Sequence, residues 1–66
     1  MGDRIKARRC ELGLSQEELA NRAGVSRVQI SNLERGESKN IQSKTALAIA
    51  EALDTTAAWI LFGISV

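Results

Sequence analysis

The 66-residue sequence contains no histidine, proline or tyrosine, and it has a single cysteine, Cys10. One thiol cannot form an intramolecular disulfide, and without histidine it cannot build a zinc site. A lone thiol in a chain with no recognisable signal sequence is typical of a reducing cytoplasm, which is the location we expect. No apolar run approaches the roughly 20 residues that a membrane-spanning helix needs. We therefore expect no metal, cofactor, small-molecule ligand or membrane partner.

Strand signals are scarce, because aromatic residues make up 3 % of the chain and no sustained apolar–polar alternation occurs. Helical spacing of apolar residues is dense instead. A chain of this length forms one small domain that buries roughly 60 % of its unfolded surface. We predict an all-α fold, with a single domain over residues 1–66 and five helices over about residues 2–12, 16–23, 27–35, 44–53 and 56–62.

The charge balance is nearly even, with nine basic and eight acidic residues and a net charge of +1. Nucleic-acid-binding domains are often far more basic, so the net charge gives little indication of a partner. Basic residues do crowd into the first nine positions, as Arg4, Lys6, Arg8 and Arg9. Composition alone leaves open whether they are the solvated start of a helix or a basic binding surface.

The segment over residues 15–36 contains strong helix boundary signals. Ser15 with Glu18 has the spacing of a capping box, and Ser26 with Gln29 has the same spacing. Glycine at position 24 follows the first of these helices, where a positive φ is favoured. Two short helices joined by "GVS" are the helix-turn-helix arrangement, and a plain helical hairpin in a bundle is the alternative.

The same segment carries a family resemblance. "LGLSQEELANRAGVSRVQISNLERG" resembles the helix-turn-helix of the lambdoid phage repressor and Cro family, also called Xre-like. "IAEALDTTAAWILFG" resembles the last two helices of that family, with a tryptophan in the customary place. The resemblance implies a compact five-helix, lambda-repressor-like fold and a homodimer that binds double-stranded operator DNA. A complete Cro-like protein and the N-terminal domain of a longer repressor both remain open.

We therefore expect a sequence-specific transcriptional regulator of the repressor or Cro type, with its second motif helix in the major groove. At about 100° per residue, the outward face of that helix collects four candidates for base contact: Arg27, Val28, Ser31 and Asn32. Arginine pairs well with guanine, asparagine either pairs with adenine or bridges to a phosphate, and valine can pack on a thymine methyl group. Val28 could instead be a half-buried packing residue.

The resemblance also implies contacts to the DNA backbone. The candidates lie in three places. They are Ser15 and Gln16 at the start of the second helix, Arg9 in the first helix, and Arg35, Lys39 and Asn40 at and after the end of the third helix, which is the recognition helix of the family. It further implies an ion pair between Arg9 and Glu34 that ties the first helix to the recognition helix. A bidentate arginine–carboxylate pair suits that role.

The C-terminal run "AAWILFGISV" is unusually apolar for so small a domain. An exposed apolar patch suggests an isologous dimer contact, with Trp59, Phe62 and Ile64 as its candidates. Alternatively the tail folds back, or it is the stub of a linker. The competing function is a protein-interaction module, antitoxin-like or a helical adaptor, that uses this patch. We expect no enzyme, since no nucleophile–base pair or phosphate loop is present, and we expect Cys10 to be a partly buried small side chain.

Overall fold

The computed structural model describes residues 2–36 and 41–63, and within these ranges it contains helices and no strand. The five helices are α1 (Gly2–Glu11), α2 (Gln16–Ala23), α3 (Arg27–Glu34), α4 (Ser43–Ala52) and α5 (Ala57–Phe62). The predicted all-α, five-helix fold is confirmed. The predicted helix boundaries are each within one residue of these: α1, α3 and α4 end one residue earlier than expected, α4 begins one residue earlier, and α5 begins one residue later.

The ends of α3 follow from local hydrogen bonding. Ser26 Oγ accepts a hydrogen bond from the Gln29 N–H at 3.1 Å, which is one half of the expected second capping box. At the C-terminal end of α3, the dihedral angles of Arg35 depart from those of a regular α-helix, with φ −83° and ψ −6°. Gly36 follows at φ 77°. A positive φ favours glycine and ends the helix, so α3 is Arg27–Glu34 and Arg35 is its C-cap.

One apolar core holds the helices together. Every helix contributes at least one fully buried aliphatic side chain, and the largest of these are Ile5, Leu19, Ile30, Leu33, Ile49, Leu53 and Ile60. Each such side chain contributes about 1.5–3 kcal/mol on burial. Ala20 is also buried, and its small size lets α2 and α3 approach closely. The core therefore fixes α3 on α2 with one face turned inward.

Two arginines of α1 attach the C-terminal helices to this core. Arg8 Nε donates to the Leu53 carbonyl at 2.9 Å, at the end of α4. Arg4 Nε donates to the Ile60 carbonyl at 3.2 Å, in α5. The last carbonyls of a helix have no partner within it, and a cation there also complements the helix dipole. Part of the basic N-terminal cluster is therefore structural.

Two other residues of α1, Cys10 and Gly2, have surroundings that the sequence analysis did not predict. Cys10 is exposed, so the expectation that it is partly buried is wrong. It lies five residues after the buried Ile5, which turns it about 140° away from the core-facing side of the helix. Gly2 is buried, and a Cβ there would clash with the Leu33 carbonyl oxygen, so only glycine allows this approach of α1 to α3. No helix in the described ranges combines the length and apolarity needed to cross a membrane.

Candidate nucleic-acid interface

The outward face of α3 carries the four side chains predicted to contact bases. Arg27 and Val28 are exposed, whereas Ser31 and Asn32 are partly buried. Val28 has 62 % of its surface exposed, while Ile30 on the opposite side has none. Val28 therefore lies largely outside the core, and an apolar side chain lies among polar ones on an open helix face.

The C-terminal end of this face contains a side-chain hydrogen bond. Arg35 Nη2 donates to Asn32 Oδ1 at 2.9 Å. A guanidinium only donates hydrogen bonds, so the amide oxygen of Asn32 must face Arg35 and the amide nitrogen must point elsewhere. The two residues, predicted separately as a base contact and a backbone contact, thus form one unit.

The face is supported from behind by the Glu34 network, which we define as Arg9, Gln16 and Glu34. Arg9 Nε donates to Glu34 Oε2 at 2.7 Å and Arg9 Nη2 donates to Oε1 at 3.1 Å. The side chains of Arg9 and Glu34 are only 13 % and 4 % exposed, so this bidentate pair is shielded from water. The hydrogen bonds that Arg9 donates to Glu34 raise the pKa of Arg9, although burial opposes the shift.

The third member of the network joins α2 to the ion pair. Gln16 Nε2 donates to Glu34 Oε1 at 3.2 Å, and Gln16 is the first residue of α2. Arg9 Nη1 also donates to the Leu14 carbonyl at 2.8 Å. Three helices therefore meet at one carboxylate. We expected Gln16 to contact DNA, but the sequence carries no local signal for its bond to a residue 18 positions away.

Two reciprocal hydrogen bonds between Ser15 and Glu18 cap the N-terminus of α2. Ser15 Oγ accepts from the Glu18 N–H at 3.0 Å, and the Ser15 N–H donates to Glu18 Oε1 at 3.0 Å. This is the predicted capping box. The bond from the Ser15 backbone N–H stabilises the charged carboxylate and lowers the pKa of Glu18 below its ordinary value of 4.5.

We expect Glu18→Gln to lower stability at pH 7, with an effect that shrinks in acid. Since the folded pKa of Glu18 is depressed, its ionised form stabilises the fold above about pH 4.5, and this contribution is lost as pH falls through the folded pKa. Urea unfolding of both proteins at pH 7 and pH 3 measures the change. An equal difference at both pH values would show that the charge of Glu18 contributes nothing.

The remaining predicted residues have different surroundings. Trp59 is partly buried and packs against the core, whereas Phe62 is 71 % exposed at the end of α5. The structure therefore does not bring these two side chains into one fully exposed patch. Ile64, Lys39 and Asn40 lie outside the described residues. Among the residues that are described, no group of histidine, cysteine or acidic side chains could hold a metal ion.

Comparison with known proteins identifies the family of this arrangement. The Helix-turn-helix family model matches residues 5–60. The chain belongs to the helix-turn-helix family, in its Xre-like branch, as the sequence resemblance predicted.

Individual relatives match nearly the whole length of this chain. The chain is 38 % identical over 63 residues to the HTH-type transcriptional regulator DicA of Escherichia coli K12, covering 96 % of this chain and 46 % of DicA. It is 40 % identical to the repressor protein C2 of Salmonella phage P22, covering 96 % of this chain and 29 % of C2. It superposes on the P22 c2 repressor bound to a synthetic operator with a TM-score of 0.88 and 38 % identity, covering 96 % of this chain and 94 % of that one. The chain thus spans less than half the length of DicA and of the repressor protein C2.

Proposed function

We propose that this chain is the sequence-specific DNA-binding unit of a transcriptional repressor, acting over residues 1–66 as a single domain. The observation that carries the proposal is the outward face of α3, where exposed Arg27 and Val28 stand beside Asn32 on a helix fixed from behind. The relatives are named as a transcriptional regulator and a repressor, and the P22 c2 structure contains operator DNA. Together these support double-stranded operator DNA as the partner.

In the proposed complex α3 enters the major groove, with its N-terminal half against the base edges. Arg27 donates two hydrogen bonds to guanine O6 and N7, and Asn32 pairs with adenine N6 and N7. Ser31 contacts either kind of base less selectively. Val28 packs on a thymine methyl group, which its 62 % exposure permits.

The proposed backbone contacts surround this face. The N-terminus of α2, with Ser15 and Gln16, presents the positive end of a helix dipole to a phosphate. Arg35 provides a cation at the end of α3, and Lys39 and Asn40 are proposed from the sequence alone. Arg9 has a secondary part, because its side chain is only 13 % exposed and binds Glu34. Such contacts fix the register of the protein on DNA and weaken as salt rises.

We expect Val28→Ala to reduce sensitivity to the thymine methyl group with little loss of stability. The chain should bind a selected duplex about 3–10-fold more tightly than a copy with uracil in place of the contacted thymine, because only the C5-methyl differs. The variant should show a clearly smaller ratio, because alanine lacks the two γ-methyl groups of valine. Competition binding measures the ratio, and thermal unfolding should change by less than about 0.5 kcal/mol. A large stability loss, or an undiminished methyl preference in the variant, would contradict this role.

We further propose that two copies bind one operator through α5. Phe62 is 71 % exposed at its end, and an exposed aromatic side chain of this kind suits a self-complementary contact in a two-fold dimer. Trp59, which is partly buried and packs against the core, and Ile64 are proposed as further members of this contact from the sequence. This arrangement would place two copies of α3 on successive major-groove faces.

We expect Phe62→Ser to weaken binding to a two-half-site duplex by about 10-fold or more, while binding to a single half-site stays unchanged. The reason is that each copy loses the burial of one aromatic side chain, worth on the order of 1.5–3 kcal/mol. Leu47→Ser is the matched control, because Leu47 is also exposed, at 54 %, but lies on α4. Equal losses for the two variants, or a loss on single half-sites, would exclude α5 as the dimer contact.

A protein-interaction module remains the alternative function, but the named relatives favour DNA-binding regulation over it. The proposed role is binding without a catalytic step, and it is exercised in the bacterial cytoplasm, where the operator is. Negligible DNA affinity of the unmodified chain on every duplex, together with binding of a defined protein partner that Phe62→Ser abolishes, would favour the interaction module.

A further inference from the structure

The hydrogen bond between Arg35 and Asn32 restricts how the amide of Asn32 is presented. Arg35 Nη2 lies 2.9 Å from Asn32 Oδ1. The backbone of Arg35 is fixed, because its N–H donates to the Ser31 carbonyl at 3.0 Å and Gly36 ends the helix directly afterwards. The donor therefore comes from an anchored position rather than from a free chain end.

Orientation matters for an amide because its two ends have opposite hydrogen-bonding character. The oxygen only accepts, and the nitrogen only donates. Adenine requires a donor opposite N7 and an acceptor opposite its N6 amino group, so an amide rotated by 180° presents the wrong pattern. Asn32 Oδ1 has a second lone pair, which leaves it able to accept from adenine while it accepts from Arg35.

We propose that Arg35 is a specificity-positioning residue: it sets the base preference at the pair that Asn32 contacts by holding the amide of Asn32 in one orientation. This role is in addition to attraction between its charge and phosphate. The proposal rests on the proposed function, because it requires Asn32 to contact a base.

A double-mutant cycle tests the proposal. The unmodified chain, Asn32→Ala, Arg35→Ala and the double variant are each titrated against four duplexes that carry each base pair in turn at the position sensitive to Asn32→Ala. We expect Arg35→Ala to reduce the preference for adenine by about 10-fold in the unmodified background. In the Asn32→Ala background, where no amide remains to be held, it should change the preference by less than about 2-fold.

Two controls separate positioning from charge. Arg22→Ala removes an exposed arginine from α2 and should weaken all four duplexes by a similar, salt-dependent factor. Thermal unfolding of every variant shows that the fold is intact. If Arg35→Ala also weakens all four duplexes equally in both backgrounds, Arg35 acts through charge alone and the proposal is overturned.

A different experimental result would show that the proposed function itself is wrong. If Asn32→Ala changes base preference at no position of the selected DNA, Asn32 contacts no base, and both the base-contact assignment and the positioning role of Arg35 are wrong. If Asn32→Ala changes the preference but Arg35→Ala does not, only the positioning role is wrong.

Discussion

We expect Arg9→Met to lower the free energy of unfolding by about 3–5 kcal/mol. The variant leaves the Glu34 carboxylate 4 % exposed and without the two donors that Arg9 supplies, and it also removes the donor at the Leu14 carbonyl. Breaking one partner of a shielded pair is costly because the remaining charge stays desolvated. Against the stability of a small domain, on the order of 5 kcal/mol, this loss is severe. Urea unfolding followed by helical circular dichroism measures it.

Two further variants isolate the cause. Arg22→Met removes an exposed arginine of similar length from α2 and should change stability by less than about 0.5 kcal/mol. Arg9→Met combined with Glu34→Leu removes both charges and should recover much of the loss, because no unpaired carboxylate remains. If Arg9→Met is no less stable than Arg22→Met, the Arg9–Glu34 pair does not hold α1 on α3.

We expect the double variant Arg27→Ala, Asn32→Ala to lose sequence discrimination by about 100-fold or more while it folds normally. Each good base contact contributes on the order of 1–3 kcal/mol of discrimination, and two removed contacts add. Arg27 is exposed and Asn32 lies on the outward face, so neither supports the core. The ratio between the dissociation constants for selected and unrelated duplexes measures the loss.

The chain provides a matched control for that variant. Asn21 and Arg22 are the same two residue types, both exposed, on α2 rather than α3. Asn21→Ala, Arg22→Ala removes the same charge and the same amide, so it should weaken selected and unrelated duplexes alike. If the two double variants lose equal discrimination, α3 is not the surface that distinguishes sequences.

Features that depend on neighbours in the chain could be predicted from the sequence. The Ser15–Glu18 capping box, the stop at Gly24 and the inward side of α3 all follow from spacing within one or two turns. Several helix boundaries were wrong by one residue, and in α3 the C-cap competes with the last turn. Thus α3 ends at Glu34 because Arg35 is already bent toward Gly36.

Features that depend on how helices pack could not be predicted in this way. Arg4 and Arg8 bind carbonyls 56 and 45 positions away, and periodicity contains no information about such partners. The bond between Gln16 and Glu34 has the same character. The Arg9–Glu34 pair could be predicted only from the family resemblance. The exposure of Cys10 could have been predicted from the sequence, since its angle from Ile5 places it on the outer side of α1.

The most direct test of the central claim, that α3 gives this chain sequence-specific DNA binding, is selection of bound duplexes from a random library. We predict one enriched sequence with two-fold symmetry and half-site centres about 34 Å apart, which is one helical turn. The enrichment should disappear for Arg27→Ala, Asn32→Ala and persist for Asn21→Ala, Arg22→Ala. Recovery of no preferred sequence by the unmodified chain, or the same sequence by both double variants, would contradict the claim.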